Sequence, residues 1–409
     1  MRIVLVSQRF YPMVGGIETQ ARTVARELAG RGHTVEVAAV NFAPPAGHDR
    51  LRVLHDTLLV RPFAGYDDGP VRVHAVTPSA AERARMLPVA VRAIPRVQRY
   101  AYQPLYEFGY RWYRPVFVPK LRALFRRADV VHGLCGGYLG WAAQEAAAGL
   151  GVPYVCTPFV HPGQWGDDRR NVAYYRRADA VIGLVPTDAA YLERIGVQPD
   201  RLRVIGVSPD LPPTADGPGF RRRHGLGDAP VVLYVGRLMP AKGAPAVLAA
   251  APLVWRQLPS ARFVFAGPGT PAEQATFAGT DPRVTYLGTV SHQEKADALA
   301  ASDLFCMPSM SEILPTVYLE AWSYAKPVVA GRAHGVPELV EGCGGGLAAG
   351  QEPGELSAAI LKLLGDADRR AQAGEAGRAQ VREQYSPAAV CDALEQLYRD
   401  VGPRRGEAA

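Results

Sequence analysis

The chain has 409 residues, is 48% hydrophobic and 21% charged, and carries a formal net charge of +7. That length gives about two or three domains; the composition is that of a soluble globular protein, and no apolar run approaches the roughly 18–20 residues of a membrane span. Five scattered cysteines without CxxC spacing speak against a disulfide framework or zinc site and for a reduced, cytoplasmic protein, while the positive charge suits nucleic acid, an anionic membrane surface or a phosphorylated substrate.

The first element, "RIVLVSQ" (2–8), loses its apolar character at Ser7 and Gln8. It is too short for a signal peptide and reads as a buried strand. A turn with Gly15-Gly16 follows, then a helix from about Glu18–Thr19 to residue 32. Paired glycines let the backbone approach a ligand, and a helix start offers N–H groups to an anion. The spacing is not the Gly-x-Gly-x-x-Gly fingerprint, which counts against a nicotinamide enzyme. Further strands are expected at 34–40, 71–77, 130–136, 153–159, 180–186 and 203–207. Val/Ile/Leu-rich strands alternating with helices predict a parallel sheet covered on both faces.

Residues 83–127 hold eleven Arg and Lys residues against Glu107, interleaved with aromatics from Tyr100 to Phe117. Such a segment admits contact with lipid headgroups. The favoured expectation is a basic helical pair that turns its aromatics inward, with Pro104, Pro115 and Pro119 breaking any long helix. It matches no nucleic-acid-binding pattern.

A Pro/Gly/Asp-rich stretch, 208–230, reads as an interdomain linker. Strands then resume at 231–236, 262–267, 284–290, 304–309 and 327–332. The fold class expected is α/β, two tandem Rossmann-like doubly wound parallel-sheet domains facing a cleft: 1–207, with a helix at 386–401, and 231–385. Ligands of open parallel sheets bind at the carboxyl ends of the strands. The tail "GPRRGEAA" (402–409) is expected to be disordered.

Two stretches of the second domain carry chemistry. After strand 231–236 come Arg237 and, five residues on, Lys242. A planar fork and a mobile point charge suit a diphosphate. After strand 304–309 comes "SEILPTVYLEAW": Glu312 in a loop, Pro315 at a helix start, Glu320 just over a turn inside. The N–H groups of Thr316 and Val317 are free of the helix ladder. Glu320, among apolar neighbours, needs a partner, either a ligand hydroxyl such as a ribose diol or an arginine elsewhere in the chain.

With "YVGRLMPAKG", "FVFAGPG", "VTYLGTVSHQE", "SEILPTVYLEAWSYAKPVVA" and "HGVPELV" in this order, the chain resembles the retaining glycosyltransferases of family 4, of GT-B architecture, over nearly its whole length. The resemblance implies a hexosyltransferase that uses a nucleotide-diphosphate sugar, without metal or cofactor, by a front-face mechanism. It implies that Arg237 and Lys242 clamp the diphosphate and Glu312 contacts the donor sugar. Leu314, Thr316 and Val317 would lie along sugar and phosphate, Glu320 would hold the ribose, and Thr289 and Val290 would meet the base. Gly15 and Gly16 would approach donor phosphates or acceptor, and His161 would stand near the reacting sugar. Departures are Ile313-Leu314-Pro315, where the family often has Gly-Phe-Gly, and "IGVSPD" (205–210), where it has Asn-Gly-Val-Asp. Alternatives left open are a sugar-nucleotide epimerase, an inverting transferase with His161, His132 or Asp129 as base, and a non-catalytic nucleotide-sugar-binding protein. The acceptor implied is a hydroxyl on a lipid-linked, saccharide or small natural-product substrate. The location is cytoplasmic, with peripheral contact at the inner membrane face through 83–127 left open, and the Ala/Gly/Pro/Arg-rich composition points to a bacterial source.

Overall fold

Near-continuous runs of β-branched and aliphatic residues build two separate sheets. In this computed structural model, residues 1–13, 15–41, 57–60, 63–163 and 165–402 are described, without the side chains of 92–93 and 95–104. The chain divides into two compact units, Met1–Ile205 with Val390–Ala409, and Gly206–Ala389.

The first unit holds β1 (Arg2–Arg9), β2 (Thr34–Asn41), β3 (Tyr66–Asp68), β4 (Val71–Ala75), β5 (Val130–Gly133), β6 (Tyr154–Cys156), β7 (Ala180–Gly183) and β8 (Leu202–Val204), ordered β3-β4-β2-β1-β5-β6-β7-β8. Every neighbouring pair is parallel except β3 and β4, with Tyr66 opposite Val73. The second unit holds β9 (Val231–Val235), β10 (Arg262–Ala266), β11 (Val284–Tyr286), β12 (Leu304–Met307), β13 (Val328–Ala330) and β14 (Gly346–Ala348), all parallel, ordered β11-β10-β9-β12-β13-β14. Central strands are buried along their length, as in β5, β6, β7 and β12, because helices cover both faces.

Several expectations are corrected. Strands β3 and β14 are short, Gly- or Asp-containing pieces without an apolar run, and neither is among the expected strands. Strand β11 stops at Tyr286, so Thr289 and Val290 lie in the loop beyond it. The expected linker 208–230 contains the helix Gly217–Arg223, capped by the Asp216 carboxylate on Gly219 N–H. Its Arg221 donates to Ala301 O at 2.9 Å and its Arg223 pairs with Asp297 at 2.9 Å. Two of the three arginines on this short helix have an acidic or carbonyl partner on a neighbour, which makes it a docked element rather than a spacer.

The basic segment differs most. Pro95–Phe125 is one 31-residue helix that runs through Pro104, Pro115 and Pro119. Each proline removes one ladder N–H and clashes with the carbonyl four residues back. All three fall on one face at helical spacing, and the described ones, Pro115 and Pro119, are exposed, as is Arg111. Water can therefore take the carbonyls that lose their partners. The opposite face buries Tyr110, Tyr113, Phe117 and Leu121 against Tyr138 and Trp141 of the helix Gly137–Ala148, and that burial outweighs the lost bonds. Phe108 and Trp112 remain exposed, contrary to the inward-facing expectation. The side chains of Arg92, Arg96, Arg99, Tyr100 and Tyr102, and the tail 403–409, lie outside the described residues.

The helix Pro387–Asp400 joins the first unit from Val390 onward. Its Tyr398 hydroxyl meets His132 Nδ1 of β5 at 2.7 Å, and its Glu395 pairs with Arg31 at 3.3 Å. Among the described residues, no helix is long and apolar enough to cross a membrane.

Candidate functional site

In the second sheet the chain leaves β9 toward β10 and β11 on one side, then crosses to β12, β13 and β14 on the other. The carboxyl ends of β9 and β12 are thus adjacent at a reversal of strand order, where open α/β sheets bind ligands. The loop after β9 carries Arg237 and Lys242; the loop after β12 carries Glu312.

These loops are tied together by backbone. Met310 N–H donates to Ala241 O at 2.9 Å. Gly243 adopts φ of 88° and begins the helix Ala244–Trp255; a side chain there would strike the Pro308 ring, so only glycine permits this approach. The Gln351 amide, just beyond β14, donates to Pro240 O at 3.0 Å and to Pro308 O at 2.7 Å, one carbonyl from each loop. Lys242 Nζ is thereby brought onto the Glu312 carboxylate and within 3.3 Å of Ser311 O. An ammonium has three donors; these contacts use two and leave one for an incoming anion.

Arg237 is exposed directly after β9, its backbone fixed by the Tyr234 hydroxyl, which donates to Arg237 O at 2.6 Å. Burial, then the nearby Glu312 charge, push the Tyr234 hydroxyl above its usual range, and Arg237 opposes this. Arg237 and Glu312 therefore both act electrostatically on one buried hydroxyl.

Pro315 caps the helix Thr316–Ser323 rather than occupying its first turn. The first bond at this end runs from Tyr318 N–H to Pro315 O at 3.0 Å, so the N–H groups of half-buried Thr316 and Val317 precede the ladder. Tyr318 OH donates to Met307 O at 2.6 Å, which ties the first turn of the helix to β12, and Trp322 Nε1 donates to Gly345 O at 2.8 Å, which ties its last turn to the start of β14. The Leu314 side chain is buried beside Gly206.

Glu320, only 4% exposed, meets Lys295 Nζ at 2.7 Å; Lys295 belongs to the helix His292–Ala301. Burial raises the Glu320 pKa, and Lys295 counters it. His292 Nε2 bonds Asp210 O at 2.9 Å nearby. The charged partner of Glu320 is thus Lys295 rather than an arginine, and Gln351 has no signal in the sequence because β14, after which it lies, is too short to read as a strand. Glu312 and Glu320 engage separate lysines and make no contact with each other.

In the first unit Gly15 is the N-cap of the helix Gly16–Gly30. The Glu18 carboxylate lies close enough to Gly15 that a side chain there would strike it, while Gly16 is exposed. His161 exchanges two backbone hydrogen bonds of 3.1 Å with Trp165, and its ring stacks on the exposed indole at 4.7 Å. Two alternative bases are removed. His132 is fully buried between Tyr398 OH and Thr157 Oγ1, with its pKa pushed down to about 3 by burial. Asp129 accepts from Arg2 N–H at 2.7 Å, at the amino end of the strands. Among the described residues, no group of three or more His, Cys, Asp or Glu is placed to hold a metal ion.

Known proteins share this plan. The family described as Glycosyl transferases group 1 matches residues 229–366, and the Glycosyl transferase 4-like domain matches 15–208. A D-inositol 3-phosphate glycosyltransferase of Mycobacterium bovis BCG is 34% identical over 430 aligned positions, covering 94% of this chain and 78% of that protein. A GDP-mannose-dependent alpha-(1-6)-phosphatidylinositol monomannoside mannosyltransferase of Mycobacterium tuberculosis is 29% identical and covers 94% of each chain. A sucrose-phosphate synthase of Thermosynechococcus elongatus superposes with a TM-score of 0.72 at 22% identity, covering 98% of each chain, a likeness of fold. With its two Rossmann-like sheets and matches across both units, the chain belongs to the GT-B glycosyltransferases of the group 1 and family-4-like type, retaining hexosyltransferases that draw on a nucleotide-sugar co-substrate.

Proposed function

We propose that the chain moves a hexosyl group from a nucleotide-diphosphate donor to an acceptor hydroxyl by front-face departure and attack, without a bound metal. The observation that carries this reading is the Lys242–Glu312 pair at the β9–β12 reversal, beside the bare tip of the Thr316–Ser323 helix. The anomeric C–O bond breaks with its electron pair going to the diphosphate. The acceptor oxygen bonds to the anomeric carbon on the same face, and its proton passes to a leaving phosphate oxygen. Arg237, Lys242 and the N–H groups of Thr316 and Val317 stabilise the departing charge. Glu312 takes hydroxyls of the donor sugar, and Glu320 the ribose. The backbone at Leu314 lies along sugar and phosphate, and that at Thr289 and Val290 meets the base. His161 stands by the reacting sugar, and Gly15 and Gly16 approach phosphate or acceptor. The second unit holds the donor, and loops of the first select the acceptor.

Two relatives that align with most of this chain carry inositol in their names, which supports an inositol-bearing acceptor and makes GDP-mannose the first donor to try. A panel of UDP-, GDP- and ADP-hexoses, assayed with and without EDTA, tests the reading. One donor is expected to be turned over equally in both conditions and to give a product with the donor's anomeric configuration by NMR. An inverted product, or no turnover with any donor, overturns it.

Phe108, Arg111 and Trp112 are exposed on one face of the Pro95–Phe125 helix, and Phe108 and Trp112 meet edge to face. Aromatic rings beside cations favour an anionic lipid surface. Phe108→Ser with Trp112→Ser is expected to weaken co-sedimentation with phosphatidylglycerol vesicles and leave turnover of a soluble acceptor intact. Equal sedimentation of wild type and variant would remove the membrane from this account.

A further inference from the structure

We propose that Lys295 is a positioning residue of the donor site: it holds one oxygen of the Glu320 carboxylate so that the other faces the ribose of the bound nucleotide. This rests on Glu320 being the ribose acid. Lys295 Nζ takes Glu320 Oε1 at 2.7 Å, while Oε2 makes no hydrogen bond among the described residues. The carboxylate is nearly sealed, 5% exposed, and the lysine is partly open at 21%. An ionised carboxylate accepts from both hydroxyls of a diol, whereas a protonated one presents a donor of its own. Burial drives Glu320 toward the protonated form.

The charged and titratable groups around it are few. Lys295 and His292 face it from the helix His292–Ala301, Asp210 from the stretch after β8, and Tyr324 from the end of its own helix. Asp210 adds to the upward pull and His292 opposes it, but Lys295 is the cation that touches. The lysine thus sets both the aim of the acid and the pH at which it works. Its placement comes from packing: Gly217–Arg223 and the acidic Asp297 fix the helix that carries it.

The test measures donor KM and kcat from pH 5.5 to 8.5 for wild type, Lys295→Met, Lys295→Gln and Lys295→Arg, using whichever sugar nucleotide the panel selects and its 2′-deoxy analogue. Lys295→Met and Lys295→Gln are expected to raise donor KM at the acid end by roughly tenfold or more, since one pKa unit is tenfold in protonation. The effect should shrink at the alkaline end. The change should fall on KM with kcat within about twofold, because the ribose contact is equal in ground and transition states. Both variants should lose discrimination against the 2′-deoxy donor, and Lys295→Arg should restore it. Lys295→Met should add nothing in a Glu320→Gln background if it acts through that acid. Glu320→Ala separates the two readings. If Glu320→Ala leaves donor KM unchanged, Glu320 is not the ribose acid and both readings fall. If Glu320→Ala raises KM but Lys295→Gln follows the wild-type pH profile, only the role of Lys295 is overturned.

Discussion

Replacing Lys242 with alanine is expected to lower kcat by roughly 10²–10³-fold, about 3–4 kcal/mol of lost charge stabilisation, with Arg237→Ala of similar size. The double variant should fall further but by less than the product, because both cations serve one leaving group. Lys242→Ala also strips Glu312 of its partner, and that carboxylate is only 14% exposed. An unpaired, largely buried charge costs stability in its own right. A drop in kcat alone therefore does not isolate the leaving-group role. Lys242→Ala combined with Glu312→Gln removes the orphaned charge, and Glu312→Gln alone carries the loss of the sugar contact; if stability returns in urea unfolding while kcat of the double variant stays far below that of Glu312→Gln, the lysine acts on the diphosphate. Turnover by the Arg237→Ala, Lys242→Ala protein at the wild-type rate would end the assignment.

A second large effect is expected under acid. His132 has its pKa pushed down to about 3 by burial, against roughly 6.5 when exposed. Between these values the unfolded chain binds the proton and the folded chain does not, so stability is complete above about pH 6.5 and is lost as pH falls toward 3. The limiting slope is about 1.4 kcal/mol per pH unit. Paired carboxylates such as Asp68 with Arg22 add their own acid loss, so the informative quantity is a difference between proteins. From pH 7.5 to pH 5, wild type should lose about 2 kcal/mol more than His132→Asn in urea unfolding. Identical losses would mean that the imidazole titrates freely in the folded protein. Because His132 holds Tyr398, the same protonation should free the last helix from β5, visible as amide exchange over Val390–Asp400.

Much of the fold was legible because hydrophobic burial is written in local composition. Twelve strand positions, the restart of the pattern after residue 230 and the final helix follow from period and punctuation. What failed was also local in cause. β3 and β14 are too short and polar to signal. The prolines of the Pro95–Phe125 helix argued for a break that tertiary burial of Tyr110, Tyr113 and Phe117 overrides. Arg237, Lys242, Glu312 and the bare helix tip could be named from strand ends and the proline, since loop residues at carboxyl ends are exposed to ligand whichever strands are neighbours.

Their juxtaposition was not in the sequence. Lys242 and Glu312 are seventy positions apart, and only the reversal of strand order beside β9 lays one loop on the other. Gln351 and Lys295 owe their roles to the same cause: each acts through a neighbour that chain order does not reveal. The sequence determined which segments become strands and helices and which charges stand at their ends, because those depend on interactions a few residues long. The tertiary structure alone decided which charge meets which, because strand order and helix docking are set by burial summed over whole elements.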